Sequence, residues 1–182
     1  MNIQAYRKQR EQFCKQERRF RRLCIKCYQP DFSCFCAHVA PFDPKIEFII
    51  LSHPIEFHRR IATGRMAHLC LENSKLIVGQ DFTYDKALNQ ILETTNKQSL
   101  VLYPGQNSVN LSGLSTKEKN QVIDPDKELL VFVIDGTCNT AKKTMYRSQN
   151  LKYLPRICFS PVRPSTFRVR KQPKELCLST VE

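Results

Sequence analysis

The sequence predicts an α/β domain in which a mainly parallel sheet is flanked by helices. Short runs of β-branched and aromatic residues recur along the chain, and segments with helical patterning separate them. The runs are almost continuously apolar, as is typical of strands that helices cover on both faces. Strands that alternate with helices favour parallel pairing. The length of 182 residues fits one such domain with a small appendage.

The elements follow in order from their local patterns. Residues 5–22 predict a basic helix, because Tyr6, Phe13 and Phe20 form a thin apolar stripe at heptad spacing. Five apolar runs then predict strands, at 46–52, 75–79, 99–105, 128–135 and 156–160. Three stretches between them predict helices, at about 56–72, 84–94 and 140–151. The polar segment 106–127 is predicted to be a loop.

Three of the predicted strands end in polar residues. These ends are Ser52-His53-Pro54, Tyr103-Pro104-Gly105 and Asp135-Gly136-Thr137. Ligands of open α/β sheets bind at the carboxyl ends of strands, so we expect the three ends to converge on one pocket. The chain has only five glycines, and they form neither a G-x-G-x-x-G fingerprint nor a Walker A motif. A Rossmann dinucleotide site and a P-loop are therefore disfavoured.

The net charge of +12 is concentrated at both ends of the chain. Residues 1–26 carry 9 Lys or Arg against 2 Asp or Glu, and residues 141–182 carry 10 against 2. Two basic ends around a mildly acidic body favour a nucleic-acid partner, and the alternative is a solvated basic face. No apolar run reaches the about 18 residues of a membrane span, and no secretory signal is visible. We expect a cytoplasmic protein with no membrane partner and no obligate protein partner.

Nine cysteines in a cytoplasmic protein are expected to be reduced thiols or metal ligands. Four of them fall close together, as Cys24-x2-Cys27-x6-Cys34-x-Cys36. Four thiolates at this spacing predict a structural tetrahedral zinc site, with His38 as a substitute ligand or redox-active thiols as the alternatives. A closed four-thiolate site leaves no position for a substrate, so its role is in folding. Residues 1–40 are thus predicted to hold the basic helix and the zinc segment, and residues 41–182 the α/β domain.

A series of short motifs runs in order from about Cys24 to Glu182. They are Cys-x2-Cys, Cys-x-Cys, His-Pro-x-Glu, Leu-Tyr-Pro-Gly, Asp-Gly-Thr-x3-Ala-Lys-Lys, Leu-Pro and Leu-Ser-Thr-x-Glu. In this order they resemble the DTW-domain proteins, which are tRNA-uridine aminocarboxypropyltransferases. The resemblance implies a fold like that of the knotted SPOUT-like methyltransferases. It also implies that residues 41–182 transfer the 3-amino-3-carboxypropyl group of S-adenosylmethionine to a uridine in tRNA.

The chain departs from the family pattern at two points. The family motif is Asp-x-Thr-Trp, whereas Cys138 stands at the fourth position and the chain has no tryptophan. A thiol offers less surface than an indole, so we expect weaker binding of the donor. The second departure is that the chain ends at Glu182, where family members usually continue with a helix. Two alternatives stay open: a non-catalytic, zinc-containing RNA-binding protein, or aminocarboxypropyl or methyl transfer to rRNA.

The resemblance also implies roles for individual residues. Asp135 is the expected central residue, acting as general base or donor ligand, and His53 is the competing base because histidine titrates near neutral pH. The residues expected to line the donor pocket are Tyr103, Pro104, Gly105, Asp135, Gly136, Thr137, Cys138, Leu154 and Pro155. On the tRNA side the resemblance implies Thr63 and Arg65. The positive charges beside the pocket could contact phosphate, with a solvated face as the alternative: Lys142, Lys143, Arg147, Arg163, Arg168 and Arg170.

Overall fold

A computed structural model describes residue 4, residues 22–167, residue 169 and residues 178–182. The chain divides into two compact units, residues 1–38 and residues 39–182. The predicted basic helix over 5–22 lies almost wholly outside the described residues. No helix in the described ranges has both the length and the apolar content that a bilayer crossing requires.

The described part of the first unit is a tight turn followed by two short 3-10 helices. The Cys24 N–H donates to the Gln29 carbonyl at 2.8 Å, and the Tyr28 N–H donates to the Cys24 carbonyl at 2.8 Å. Tyr28 lies in the left-handed region with φ of 55°, which lets the chain reverse direction there. The 3-10 helices span Asp31–Ser33 and Cys36–His38. These turns bring residues 24, 27, 34 and 36 near one another.

The second unit contains a six-stranded sheet whose strands all pair in parallel. The strands are β1 (Glu47–Ser52), β2 (Ser74–Val78), β3 (Gln98–Leu102), β4 (Ser108–Asn110), β5 (Leu129–Asp135) and β6 (Arg156–Cys158). Their order across the sheet is β2-β1-β5-β3-β6-β4. The predicted α/β class with a mainly parallel sheet is therefore confirmed. The knotted topology that the resemblance implies stays a prediction.

Six helices accompany the strands of the second unit in the described residues. They are α1 (Pro54–Phe57), α2 (Thr63–Cys70), α3 (Lys86–Thr94), α4 (Thr116–Val122), α5 (Cys138–Arg147) and α6 (Gln149–Lys152). On one face of the sheet, strand residues pack into the main core with residues of α3, α5 and α6 and with Phe82, which lies between β2 and α3: Ile49, Leu51, Val101, Leu130, Phe132, Leu88, Met145, Leu151 and Phe82. Each such fully buried side chain contributes about 1.5–3 kcal/mol of apolar burial. The opposite face carries Phe48, Ile50 and Val133 and lies against α2.

Two of the predicted helices are wrong, because each is two shorter helices in the structure. The single helix predicted over 56–72 is two helices, α1 and α2. Arg65 of α2 reaches back to the end of α1, where its guanidinium donates to the carbonyls of Phe57 at 2.9 Å and Arg59 at 3.4 Å. These carbonyls are thereby satisfied without a continuous helix. The helix predicted over 140–151 likewise ends at Arg147, and α6 follows it.

The segment 106–127, predicted to be a loop, contains β4 and α4. Helix α4 begins with a capping box, in which the Ser115 hydroxyl accepts from the Glu118 N–H and the Glu118 carboxylate accepts from the Ser115 N–H. This pairing satisfies two backbone donors that a helix N-terminus otherwise leaves unbonded. Strand β4 has only three residues and pairs only with β6.

Candidate functional site

The sheet order brings three predicted strand ends to one edge. Strand β5 lies between β1 and β3, and the register places Ser52 of β1 opposite Asp135 of β5. The His53 N–H then donates to the Asp135 carbonyl at 3.0 Å, which extends the pairing by one residue. On the other side, Tyr103 follows β3 directly. The residues after these strands are neighbours because parallel strands all end at the same edge.

The Asp135 carboxylate is the centre of a buried polar cluster. Asp135 is 3% exposed. The Ser52 hydroxyl donates to Oδ2 at 2.7 Å, the Thr180 hydroxyl donates to Oδ1 at 2.7 Å, and the Thr63 hydroxyl lies 3.4 Å from Oδ1. We call Ser52, Thr63, Asp135 and Thr180 the Asp135 cluster. Because protein donors engage both oxygens, this geometry favours a carboxylate that positions its neighbours over one that removes a proton.

Sequence reasoning assigned no role to Ser52 or Thr180. Both lie in motifs that it had noted, the polar end of β1 and the Leu-Ser-Thr-x-Glu sequence. Thr180 is 45 positions from Asp135, and Ser52 is 83 positions away. Contacts at such separations leave no periodic pattern in the sequence. The available signal was the presence of hydroxyl residues in both motifs.

Glu182 also holds residues 178–182 near Asp135. The Glu182 carboxylate accepts hydrogen bonds from the Ser179 N–H at 2.9 Å and the Ser165 hydroxyl at 2.7 Å, and from the Thr166 N–H at 3.0 Å. The Ser179 N–H and the Ser165 hydroxyl, together with these other donors, lower the pKa of Glu182 to about 2. The carboxylate thus joins residues 165–166 to the segment that carries Thr180.

His53 is buried and caps helix α1. Its Nδ1 accepts a hydrogen bond from the Ile55 N–H at 3.3 Å. An accepting Nδ1 places the ring proton on Nε2 in the neutral imidazole, so Nε2 is a donor in this tautomer. To act as a base through Nε2, the ring would have to give up this capping bond. The predicted role of His53 as a base stays a prediction.

Two residues expected on the tRNA side are buried. Thr63 is 5% exposed and belongs to the Asp135 cluster, while Arg65 is 4% exposed and holds the carbonyls of Phe57 and Arg59. The Arg65 guanidinium also lies 5.6 Å from the centroid of the Phe57 ring. In this structure both side chains bind protein groups, and their contact with RNA stays a prediction.

The Asp-Gly-Thr turn is closely packed against the start of α5. A Cβ on Gly136 would lie 2.6 Å from Thr140 Oγ1 and 3.1 Å from the Ala141 nitrogen, so a side chain has no room there. Thr137 is the N-cap of α5, because its hydroxyl accepts from the Thr140 N–H at 3.3 Å. Cys138 is the first residue of α5 and is exposed. The turn therefore presents Cys138 to solvent at the edge that carries Asp135.

Four further residues predicted for the donor pocket occupy different surroundings. Tyr103 and Leu154 pack against the main core, and the Pro155 carbonyl accepts from the Val101 N–H at 2.9 Å. Desolvation raises the pKa of Tyr103, the charge of Arg156 opposes this shift, and the thiol of Cys138 adds to it. Gly105 has open space, since an added Cβ would meet nothing within 4 Å.

A mostly apolar cavity of about 560 Å³ lies on the sheet face that α2 covers. It is lined by strand residues, by Ala67 and Cys70 of α2, and by the segment that carries Thr180. The lining residues include Phe48, Ile50, Leu102, Val133, Gly136, Phe159 and residues 178–182. Ligand pockets of proteins commonly measure about 300–1,000 Å³. Of the residues predicted for the donor pocket, only Gly136 lines this cavity.

Three of the six remaining basic residues predicted on the tRNA side, Lys142, Lys143 and Arg147, lie on α5. Asn139, Lys142, Lys143, Tyr146 and Arg147 line a shallow cleft of about 520 Å³ on the outer side of this helix. The Arg147 guanidinium donates to Gln80 Oε1 at 3.2 Å. Arg163 is exposed. Arg168 and Arg170 lie outside the described residues.

The four clustered cysteines form the candidate metal centre, which belongs to the first unit. Their sulfur atoms all lie within 4.8 Å of one another. Cys24 Sγ is 3.7 Å from Cys36 Sγ, and Cys27 Sγ is 3.6 Å from Cys34 Sγ. The N–H groups of Cys27 and Lys26 lower the pKa of Cys24 to about 6, whereas desolvation and the neighbouring thiols raise the pKa of Cys36 to about 12. The site thus already holds one thiol that ionises readily.

Comparisons with known proteins agree on one family. The model of the DTW domain matches residues 21–182. A Drosophila melanogaster protein named tRNA-uridine aminocarboxypropyltransferase 2 is 34% identical over 170 residues, which are 89% of this chain and 63% of the relative. Proteins of the same name from Macaca fascicularis and Mus musculus are 25% and 26% identical over 163 residues, covering 87% of this chain and 53% of each relative. The chain thus spans between half and two thirds of the length of these relatives. No solved structure is significantly similar.

Proposed function

The chain belongs to the DTW domain family, and we propose that it transfers the 3-amino-3-carboxypropyl group of S-adenosylmethionine to a uridine in tRNA. The names of the relatives support this activity. The observation that carries the proposal is the Asp135 cluster, in which hydroxyls from three distant segments meet one buried carboxylate. The carboxylate belongs to Asp-Gly-Thr and the Thr180 hydroxyl to Leu-Ser-Thr-x-Glu, two of the motifs by which the chain resembles the family.

In the proposed reaction the main role of the protein is to position the two reactants. A nitrogen of the uridine attacks the methylene carbon beside the sulfonium, so a carbon–nitrogen bond forms while a carbon–sulfur bond breaks. S-adenosylmethionine supplies both the alkyl group and the leaving group, which departs as a neutral thioether. The uridine imide loses its proton to a base or to solvent. Holding two reactants in line is worth a large part of the barrier in such reactions.

The residues at the sheet edge fit the charges of this donor. S-adenosylmethionine carries a sulfonium and an ammonium, and Asp135 offers a fixed negative charge whose orientation the Asp135 cluster sets. Fixed charges are effective in catalysis because they need no reorganisation during the reaction. Tyr103 and the exposed Cys138 provide the neighbouring surface in this proposal. Cys138 replaces the indole of the family motif, so we expect donor binding weaker by about 1–3 kcal/mol of apolar contact.

We also propose that the four cysteines of the first unit bind a structural zinc ion. Zn–S bonds of about 2.3 Å in a tetrahedron place the sulfur atoms about 3.8 Å apart. The separations of 3.7 Å for Cys24–Cys36 and 3.6 Å for Cys27–Cys34 fit this arrangement. Zinc would hold all four groups as thiolates and would stabilise the turns between them. Reduced cysteines and a tRNA substrate both suit the cytoplasm, where we propose that the protein acts.

Nucleoside mass spectrometry tests the proposed activity. The purified chain is incubated with S-adenosylmethionine and unmodified tRNA, and the digested RNA is searched for a uridine that has gained the aminocarboxypropyl mass. We expect this product with the wild type, more of it at low donor concentration with Cys138→Trp, and none with Asp135→Asn. Absence of the product from both the wild type and the Cys138→Trp variant, together with no heat of donor binding, would favour the non-catalytic RNA-binding alternative.

A further inference from the structure

One face of helix α5 carries cations and an aromatic ring that the proposed chemistry does not use. Asn139, Lys142, Lys143, Tyr146 and Arg147 are separated by three or four positions and therefore share a face. All five are exposed, and we call them the α5 stripe. The opposite side of the helix packs inward through Thr144 and Met145, which are 2% and 5% exposed. The α5 stripe therefore faces away from the core.

The charge of the α5 stripe suits a polyanion. Three of its five residues are cations, and none is acidic. Lys152 of α6 adds a fourth cation, because its Nζ lies 5.0 Å from the centroid of the Tyr146 ring. The charge of Asp81 interacts with Arg147 and Lys152, and the four cations outnumber this acid. Such a surface attracts phosphate groups.

Tyr146 distinguishes this surface from a merely solvated basic face. Its side chain is 77% exposed, although tyrosine rings usually bury much of their apolar surface. Tyr153, which follows Lys152, is 86% exposed. Exposed aromatic rings among cations are the usual means by which proteins bind single-stranded nucleic acid, with bases stacked on the rings and phosphates on the cations. Duplex RNA does not offer its base faces for such stacking.

The position of the α5 stripe relates it to the proposed reaction. Helix α5 begins at Cys138, directly after the Asp-Gly-Thr turn, and Tyr146 follows eight positions later. At a rise of about 1.5 Å per residue, Tyr146 lies about 12 Å along the helix axis from Cys138. The imide N–H of uridine is used in base pairing, so a uridine that reacts at this nitrogen must be unpaired. Nucleotides next to such a uridine can be unpaired as well.

We propose that the α5 stripe binds unpaired nucleotides that neighbour the target uridine. One base stacks on the ring of Tyr146, and the adjoining phosphates contact Lys142, Lys143 and Arg147. This inference rests on the proposed function for the identity of the RNA, and it adds how that RNA is held. It makes Tyr146 a specificity residue for single-stranded over duplex RNA.

Binding measurements without S-adenosylmethionine test the inference independently of the transfer reaction. Fluorescence anisotropy compares a labelled single-stranded RNA, and the same RNA annealed to its complement, on the full chain. We expect Tyr146→Leu to weaken single-strand binding roughly 5- to 140-fold, the equivalent of about 1–3 kcal/mol per stacked base. Tyr146→Phe is the matched control, and it should bind like the wild type because the ring is kept. Equal binding by the Leu and wild-type proteins, or equal affinity for single strand and duplex, would overturn the inference.

A salt titration of RNA affinity measures the contribution of the cations separately from that of the Tyr146 ring. Replacing Lys142 and Lys143 together by Gln should reduce the slope of log affinity against log salt by about 0.7 per lost contact. Replacing Lys117 and Lys119 of α4, which are also exposed, should leave the slope unchanged. If the α4 pair changes the slope and the α5 pair does not, the RNA surface is elsewhere and the inference fails.

Steady-state kinetics test whether the α5 stripe binds nucleotides next to the target uridine. Tyr146→Leu should raise KM for tRNA and leave the affinity for S-adenosylmethionine unchanged. Normal tRNA kinetics in this variant would overturn the inference while the proposed function stands. The wild type could instead show no transfer while Tyr146→Leu still weakens single-strand binding. In that case the proposed function fails and the α5 stripe remains an RNA-binding surface.

Discussion

Gly64 is the position where one added carbon most directly disturbs the Asp135 cluster. This glycine lies in the first turn of α2, next to Thr63. A Cβ on Gly64 would lie 2.9 Å from the Cβ of Asp135, and closer still to its Cγ and Oδ2. Real Cβ atoms do not tolerate such contacts, so the carboxylate or the helix must move. The Gly64→Ala variant is therefore expected to displace the carboxylate without removing any of its hydrogen-bonding partners.

The expected cost combines three terms. Alanine is favoured over glycine in a helix by about 1 kcal/mol, which opposes the damage. Overpacking of a well-packed site costs about 1–3 kcal/mol. A hydrogen bond to a charged group is worth about 1.5–3 kcal/mol, and the displaced carboxylate should lose one of its two 2.7 Å bonds, to Ser52 or Thr180. We expect a net loss of about 3 kcal/mol in the free energy of unfolding, or about 6–12 °C in Tm for a domain of this size.

The assay is thermal unfolding followed by circular dichroism, with Gly105→Ala as the matched control. Gly105 lies at the same edge of the sheet, and a Cβ there would meet nothing within 4 Å. Gly105→Ala should therefore melt at or slightly above the wild-type temperature. Transfer activity should fall with Gly64→Ala. If the two variants melt within about 2 °C of each other, the close approach of α2 to Asp135 is refuted.

Three further outcomes follow from the same contacts. Thr180→Val should lower stability by about 1.5–3 kcal/mol because it removes a hydroxyl from a buried carboxylate, whereas Thr180→Ser should not; equal melting temperatures for the two would contradict this contact. The pKa of Glu182 falls from its ordinary 4.5 to about 2, so its stabilising effect is complete above about pH 4.5 and is lost as pH falls towards 2. The Tm difference between wild type and Glu182→Gln should accordingly shrink over that range, and a constant difference would speak against the bound carboxylate. Reduced protein should contain one zinc per chain by elemental analysis, and chelation should lower its Tm; metal-free protein with an unchanged Tm on adding chelator would exclude the site.

The sequence predicted five of the six strands because each lies in a compact apolar run, and burial on both faces leaves a strong local signal. The order of the strands across the sheet could not be predicted from the sequence. Strand β5 lies between β1 and β3, although β2 and β3 come earlier in the chain. Strand β4 was missed because three residues that pair with one neighbour bury too little apolar surface to leave a pattern. The capping box of α4, by contrast, was readable in Ser115-x-x-Glu118 and was overlooked.

The candidate site was predictable only in part. The family motifs pointed to Asp135 and His53, but they gave no sign that Thr63 and Arg65 lie buried and bind protein groups. Charge alone indicated the basic side of α5, since Lys142, Lys143 and Arg147 stand out in any count. The exposure of Tyr146 depends on which helix face packs against the core, and that requires the fold.

The central place of β5 has a consequence for how the protein is made. Strands β1 and β3 are synthesised before β5 but do not pair with each other, so the edge of each that pairs with β5 must wait for residues 129–135. Parallel pairing over such sequence separations makes folding slow, because loop closure precedes any stabilising contact. During synthesis the edges of β1 and β3 stay open to pairing with other chains. Thr180 reaches Asp135 later still, so its hydrogen bond to the Asp135 carboxylate forms only after residues 136–179 have also been synthesised.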